Sequence, residues 1–393
     1  MTEAVTTRLN QNQTAVLLLL LTMVLLGVFP LDVILPSFPA MSAHFATPSS
    51  NIALSISIFA VGFSISQFFL GPLSDRLGRK RLLMIGMLVS IVGAVGCAGS
   101  EQFAPFVFFR GVQAIGCGSF VLSNALVQDI FTTEERDRVR IWMTTASGLF
   151  ISTSPLLGTF LQALFGWTGS FYLFAFIAGL VLLNAFRTLP TSRPSPMSAR
   201  FWKSCAMIVS HRRFMGFSLV AAIAFTCHFS FIAISPLIFI DEFGLTHLQF
   251  SLVLLIYGAA YVLGGVIAGR LQKRINHHQR LNAGLALIGL AGLMLIILHL
   301  TTDRSPLTIL LPMMICTVGT TIARPAAASR AMDFFPHHAG AAASMLNTTV
   351  FVTGGVLSAA ASITVANFES ALATGFIVLS LIGGVIVRQI YRS

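Results

Sequence analysis

Residues 71–81 read GPLSDRLGRKR and separate two apolar segments, at 51–72 and 82–100. The stretch places two glycines, which allow tight turns and close helix approach, beside a dense basic run. Each flanking segment has about the 20 apolar residues needed to cross a lipid bilayer. The stretch is therefore predicted to be a short loop between two membrane helices.

Apolar segments of this kind recur along the whole chain. They lie at residues 15–38, 51–72, 82–100, 105–126, 141–163, 168–187, 214–240, 247–269, 281–300, 307–329, 339–362 and 370–390. Each segment is apolar on all sides, whereas the strands of a membrane barrel are short and alternate in polarity. The sequence predicts an all-α membrane protein with twelve transmembrane helices.

The composition leaves no room for a sizeable soluble domain. Of 393 residues, 55% are hydrophobic and 9% are charged, against roughly a quarter charged in soluble proteins. The net charge of +11 comes from basic residues spread between apolar segments, so no nucleic-acid partner is expected. The five cysteines form no CxxC pair, and no metal site is expected. No small-residue cleavage site follows the first apolar segment, which is expected to be retained.

The basic residues predict the orientation. With the N-terminus in the cytoplasm, all but three of the 24 Lys and Arg residues fall at cytoplasmic helix ends and loops. The exceptions are Arg110 and Arg324 within helices, and Arg304 outside. The opposite loops carry the acidic residues Glu101, Asp241, Glu242, Asp303 and Glu369. Because Lys and Arg are enriched in cytoplasmic loops of membrane proteins, both termini are predicted to be cytoplasmic.

The longest connection, residues 188–212, is first rich in Pro and Ser and then basic and amphipathic. It is predicted to be a cytoplasmic linker on the inner leaflet, between six-helix bundles at 1–187 and 213–393. A weak internal repeat supports this division, since Gly71 and Arg76 have counterparts in Gly269 and Arg274. Duplicated halves of this kind place a substrate cavity between them, near the membrane midplane.

The stretch 71–81 resembles the GxLaDrxGrkxxl loop of the major facilitator superfamily, at the place expected for it. The resemblance implies two pseudo-symmetric six-helix bundles. It also implies a gating function for Gly71, Asp75, Arg76, Gly78 and Arg79. Asp75 would accept hydrogen bonds from arginines or a helix N-terminus and hold the two halves in one access state. The alternative is a basic loop that only sets the topology.

The fourth segment contains Arg110, Gln113 and Gly116 in a pattern that resembles RxxqGxg of the same superfamily. An arginine inside a membrane helix is costly unless it faces a wet cavity or a partner. Arg110 is therefore expected to favour ionisation of a nearby carboxylate or to contact substrate. The alternative is a structural arginine bound to backbone carbonyls.

Asp32 is the one carboxylate within a predicted helix, and Pro30 and Pro36 loosen the helix around it. The sequence is similar to the first-helix D-x-x-x-P element of drug:proton antiporters, where this acid takes the proton. The resemblance implies that Asp32 and Arg110 serve proton coupling. The alternative is an aspartate at the helix mouth that faces water.

The fifth segment contains Ser154, Pro155 and Gly158 and resembles the antiporter motif gxxxGPxxGG. Here Ser154 replaces a glycine, and Thr159 stands where a second glycine is usual. Pro155 and Gly158 are expected to supply a kink and a close helix contact, which favours export. Ser235-Pro236 and residues 335–344 resemble the corresponding regions of Bcr/CflA-type exporters.

Gln113, Arg324 and His228 are candidates for the substrate cavity. The alternatives are an Arg324 that reaches the cytoplasmic surface and a His228 that is only hydrogen-bonded within the bundle. If Arg324 faces the cavity, the interior holds two arginines against Asp32, which favours anionic or zwitterionic cargo.

These features predict a secondary transporter of the bacterial inner membrane that exports small organic molecules by proton antiport. The cargo would be a drug, a siderophore or another metabolite, the proton gradient would replace any cofactor, and the protein would be a monomer. The alternatives are a proton-coupled uptake symporter and a transport-inactive receptor or scaffold. The sequence has no GxSxG or HExxH motif, so an enzyme is not expected.

Overall fold

The computed structural model describes residues 11–189, 198–335, 338–363 and 368–392, and these residues form helices joined by short turns. The helices are α1 (Gln11–Asp32), α2 (Phe38–His44), α3 (Ser49–Leu77), α4 (Arg79–Ala98), α5 (Phe103–Cys117), α6 (Leu122–Ile130), α7 (Thr133–Phe165), α8 (Gly169–Thr188), α9 (Ser198–Val209), α10 (Arg212–Pro236), α11 (His247–Gln272), α12 (His277–Thr301), α13 (Pro306–Met332), α14 (Ala339–Ile363) and α15 (Phe368–Arg392). Tight 3-10 turns follow α1 and α5, and a π-helical turn extends α10 to Glu242.

Within these described ranges, eleven helical units are long and apolar enough to cross a membrane. α1 and α2 form one such unit, and so do α5 with α6. The predicted fifth segment, 141–163, lies inside the 33-residue helix α7, which is not one of the eleven. The prediction of membrane helices is confirmed, whereas the count of twelve stays a prediction.

Consecutive long helices run in alternating directions, so their ends form two faces. The near end is the face where α1 begins and α15 ends, and the far end is the opposite face. At the near end, Lys80 Nζ donates to the carbonyl oxygens of Phe186 (2.8 Å) and Leu189 (2.7 Å). At the far end, Arg304 bonds to Glu369 (2.7 Å) and Glu242 (2.9 Å), and the hydrogen bond to Glu369 raises the pKa of Arg304. Each contact thus joins helix ends of one face, and by definition both ends of the described chain lie on the near face.

Small residues allow neighbouring helices to pack backbone against backbone. A Cβ atom on Gly284 of α12 would lie 2.7 Å from the Gly319 carbonyl oxygen of α13. A Cβ atom on Gly93 of α4 would overlap the backbone of Gln113 in α5. Such close contacts replace the hydrophobic driving force that is missing between helices in lipid.

The buried apolar residues form two clusters. One cluster is built from the first half of the chain, between Val16 and Leu189. The other is built mainly from residues between Cys205 and Ile390, and it also includes far-end residues of the first half such as Ile34, Phe38 and Phe106. The two halves therefore share a continuous core at the far end.

Candidate transport site between the two halves

Helix α1 ends at Asp32, and the chain then passes through a 3-10 turn at Leu35–Ser37 before α2 begins. The break follows from the prolines, because Pro36 has no N–H to donate to the carbonyl of Asp32. The Asp32 side chain is half-buried and has no hydrogen bond or salt bridge with any residue that the structure describes. The segment 30–37, here called the α1 break, therefore holds an unpaired carboxylate inside the bundle.

Arg110 is fully buried and contacts the α1 break directly. Its Nη2 donates to the Pro30 carbonyl oxygen (3.0 Å), and its Nη1 donates to Gln113 Oε1 (2.8 Å). The guanidinium also lies 4.5 Å from the centre of the Phe59 ring. A cation is favourable here because the last carbonyls of a helix carry the negative end of its dipole. Arg110 therefore makes the backbone contact that was expected of a structural arginine. No carboxylate among the described residues forms a salt bridge with Arg110.

Gly158 of α7 lies against the other side of the α1 break. A Cβ atom on Gly158 would overlap the Val33 carbonyl oxygen and would lie 3.2 Å from Pro36 Cδ. Four residues before Pro155, the Ile151 carbonyl has lost its helical N–H donor, and the Ser154 hydroxyl donates to it instead (3.1 Å). The motif glycine at 158 therefore allows α7 to touch the break, and Ser154 satisfies the backbone at the kink.

A group of hydrogen bonds, here called the far-end latch, joins α7 to α11 of the second half. Thr159 Oγ1 lies 3.1 Å from the His247 carbonyl oxygen and 2.6 Å from Ser251 Oγ. Ser251 Oγ in turn donates to the Pro155 carbonyl oxygen (2.9 Å). Because α7 also contacts the α1 break, it links the break to the opposite half, and the turn at Leu35–Ser37 also lies beside α10 and α11 of that half.

The predicted gating loop lies at the near end. Gly78 has φ +86° and forms the joint between α3 and α4, a conformation that favours glycine. Arg79 forms a salt bridge with Asp129 and donates to the Ala125 carbonyl oxygen (2.6 Å). A Cβ atom on Gly71 would lie 3.9 Å from Ser344 Oγ of α14, so the loop begins at the boundary between the halves. The side chains of Asp75 and Arg76 lie outside the described residues, and their gating function stays a prediction.

The second half contributes a cationic and aromatic cluster. His228 Nδ1 hydrogen-bonds to Tyr257 Oη (2.6 Å), which also accepts from Thr317 Oγ1 (2.5 Å). Arg324 is half-buried, with its guanidinium 4.7 Å from the centre of the Phe225 ring. Arg324 therefore lies on an aromatic surface of α10 inside the second half. Gln113 is 1% exposed and serves as a partner of Arg110.

Sequence reasoning identified the α7 motif and not its partner. His247 and Ser251 belong to no recognised pattern, and Tyr257 and Phe59 are aromatic residues among many others. The one available signal was Thr159, a hydroxyl residue at a position where the resembled motif has glycine.

Comparisons with known proteins agree with this architecture. The family model described as Major Facilitator Superfamily matches residues 17–359. The chain is 27% identical to the uncharacterized MFS-type transporter YdgK of Bacillus subtilis, over 89% of each chain. It is 29% identical to a chloramphenicol resistance protein of Pseudomonas aeruginosa, over 87% of this chain and 81% of that protein. It is 23% identical to a bicyclomycin resistance protein homolog of Haemophilus influenzae, over 89% of each chain.

Solved structures share the fold. The crystal structure of a D-xylose-proton symporter superposes with a TM-score of 0.75 at 16% identity, covering 94% of this chain and 97% of that one. A peptide transporter POT gives a TM-score of 0.76 at 15% identity, covering 96% and 95%. Together with the family match, these findings show that the chain belongs to the Major Facilitator Superfamily and is a multi-pass bacterial inner-membrane transporter of small molecules, not an enzyme.

Proposed function

We propose that this transporter exports small organic molecules by proton antiport and that Asp32 is the proton carrier. The observation that supports this most directly is the α1 break. An unpaired, half-buried carboxylate lies there, and the break contacts Arg110 on one side and Gly158 on the other. A carboxylate without a fixed partner is free to exchange a proton with an aqueous cavity.

Protonation would change the forces on the break. Asp32 pairs with no described residue, so its ionised form at the half-buried break is unfavourable unless water of the cavity solvates it. Protonation removes this need for water, while Arg110 keeps its bonds to Pro30 and Gln113. The α1 break then relaxes against α7, whose bonds to Ser251 reach the opposite half. Substrate and proton would occupy the cavity alternately as the halves rock.

We further propose that the near end is cytoplasmic and that α7 is the twelfth transmembrane helix. Its 33 residues give a length of about 50 Å at about 1.5 Å per residue, more than the bilayer requires. The two bundles would be residues 1–187 and 213–393, with 188–212 as the cytoplasmic linker that contains α9. The functional unit would be a monomer, and the proton gradient would drive it without a cofactor.

The relatives support a drug-like cargo. The names of the relatives refer to resistance to chloramphenicol and bicyclomycin and to multidrug resistance, and resistance by a transporter favours efflux over uptake. Arg324 and Arg110 outnumber Asp32 in the interior, and this excess favours neutral, zwitterionic or anionic molecules over lipophilic cations. A carboxylate siderophore has the same chemistry and is the second candidate cargo.

Proton flux in everted membrane vesicles tests the proposal. Respiration acidifies the vesicle lumen, and chloramphenicol, a lipophilic cation or a carboxylate siderophore is then added while a pH-quenched dye is followed. Fluorescence should recover with one class, and Asp32→Asn should abolish the recovery. Asp303→Asn, which removes an exposed far-end carboxylate, should leave it intact. Recovery that persists in Asp32→Asn would exclude Asp32 as the carrier, and substrate-driven proton movement in the opposite direction would indicate uptake.

A further inference from the structure

A cavity of about 420 Å³ lies at the near end of the second half, between α11, α12 and α13. Its walls include Gly265, Gly269 and Gln272 of α11, Arg280 of α12, and Pro325 and Ser329 of α13. The cavity lies away from the α1 break, Arg110 and the far-end latch. None of the functions proposed above uses it.

The cavity exists because two of the α11 residues that line it, Gly265 and Gly269, have no side chain to fill it. Cβ atoms on Gly265 and Gly269 would meet nothing within 4 Å, so open space lies beside both residues. The neighbouring Gly264, in contrast, packs tightly against Thr321 and Val318 of α13. The space is therefore a groove beside a close helix contact and not a consequence of loose packing throughout.

Arg280 is the chemical centre of this groove. Its residue is only 8% exposed, and its Nε has no hydrogen-bond partner among the residues that the structure describes. Its Nη2 bonds to His277 Nδ1 (2.9 Å), and no described carboxylate pairs with it. The nearby Asp333 is exposed and pairs with Arg330 instead (3.4 Å). A buried guanidinium without a counter-anion is unfavourable, because its desolvation is not compensated.

The polar groups around Arg280 complete a set of donors. An arginine always donates, so His277 Nδ1 accepts and a neutral His277 carries its proton on Nε2. Gln272 and Ser329 add an amide and a hydroxyl on the two flanking helices. The start of α12 at His277 contributes the positive end of a 25-residue helix. A buried cation, several donors and a helix N-terminus together match the acceptor oxygens of a phosphate group.

We propose that this groove binds the phosphate group of an anionic phospholipid. The large exposed side chains next to the groove on α11, Val262 and Val266, form an apolar surface along which an acyl chain can lie. In the proposed orientation the near end meets the anionic inner leaflet, where basic pockets between membrane helices bind lipid headgroups. The phosphate chemistry would be the same for free inorganic phosphate, and the experiment separates these two sources.

The test measures lipid binding to the full-length purified protein by native mass spectrometry. Phosphatidylglycerol is titrated against the wild type, Arg280→Gln, Gly269→Leu and, as a matched control, Arg213→Gln. Gly269→Leu fills the groove and keeps Arg280, so it remains informative if Arg280→Gln folds poorly. Arg213 is an exposed near-end arginine on α10, and its variant loses the same charge outside the groove.

We expect phosphatidylglycerol affinity to fall by about tenfold or more in Arg280→Gln, which loses hydrogen bonds to a charged group. Gly269→Leu should lower the affinity similarly, because its side chain occupies the space that the phosphate needs. Arg213→Gln should bind as the wild type does, and millimolar inorganic phosphate should not displace the lipid. Displacement by inorganic phosphate, with the same dependence on Arg280, would assign the groove to a soluble phosphate and overturn the lipid. Equal affinity in all four proteins would overturn the site itself. Neither result depends on proton transport or on Asp32.

Discussion

Replacing Thr159 by Val removes one of the two hydroxyls of the far-end latch and leaves a side chain of nearly the same shape, while Ser251 keeps its bond to the Pro155 carbonyl oxygen. The hydroxyl contacts the His247 carbonyl oxygen at 3.1 Å and Ser251 Oγ at 2.6 Å, and both belong to the opposite half. These bonds exist only while α7 and α11 are together at the far end. Thr159→Val is therefore expected to favour conformations in which the far end is open.

The size of the shift follows from these contacts. Interhelical hydrogen bonds in membrane proteins contribute about 0.6 kcal/mol each on average. The Thr159 hydroxyl bonds to two groups of the opposite half, so its loss should cost between one and two such bonds, about 1 kcal/mol, in the closed state. That free energy corresponds to about a fivefold change in the ratio of far-end-open to far-end-closed protein.

Distances between spin labels at Gln102→Cys and Thr302→Cys would measure this ratio. Both positions are exposed at the far end, one in each half, and the five native cysteines are buried. The matched control is Thr153→Val, because Thr153 Oγ1 donates only within its own helix, to Leu149 (3.0 Å) and Phe150 (3.5 Å). An unchanged distance distribution in Thr159→Val, or the same shift in Thr153→Val, would refute the latch.

Three further substitutions probe the other contacts of the site. Gly158→Ala should lower the thermal stability, because the new methyl overlaps the α1 break and overpacking costs about 1–3 kcal/mol. Gly179 has open space around it, so Gly179→Ala should leave the melting temperature unchanged. Equal melting temperatures of the two variants would contradict this prediction. Arg110→Lys keeps the charge, but an ammonium group cannot reproduce the two bonds that the planar guanidinium makes to the α1 break and to Gln113. Drug-induced proton flux should therefore fall by about tenfold. Full flux would contradict this function of the guanidinium. Ser154→Gly should lower the unfolding free energy by about 1 kcal/mol, because the Ile151 carbonyl oxygen loses the hydroxyl that donates to it. Thermal denaturation measures this change. An unchanged midpoint would show that the carbonyl oxygen finds another donor.

The sequence predicted most of the fold for a simple physical reason. A membrane helix must satisfy its own backbone and bury its polar groups, so length and hydropathy alone locate segments such as α12 and α13. Gly78 was also predictable, since a turn between two helices within one residue requires positive φ. Arg110 was predicted to face a wet cavity or a partner, because exposing an arginine to lipid is costly, and in the structure it donates to the Pro30 carbonyl oxygen.

The contacts between segments were not predictable in the same way. Pro30 and Pro36 indicated a loosened helix around Asp32, but nothing local indicates that Gly158 packs on the Val33 carbonyl. Ser251 is an ordinary serine in an apolar helix until α7 is placed beside it. Periodicity describes each helix alone, whereas the site consists of pairs that are distant in sequence.

The geometry also orders the effects of the substitutions. All contacts of Arg110 lie within the first half, so Arg110→Lys should impair proton coupling and leave the far-end distances unchanged. The hydrogen bonds of Thr159 go to the second half and not to the α1 break. Thr159→Val should therefore change the distances between the far-end spin labels and retain proton coupling through Asp32. Gly158 lies on a helix that contacts both the break and the second half, so Gly158→Ala should disturb both properties. If α7 transmits the state of Asp32, only the substitution at 158 changes the two measurements together.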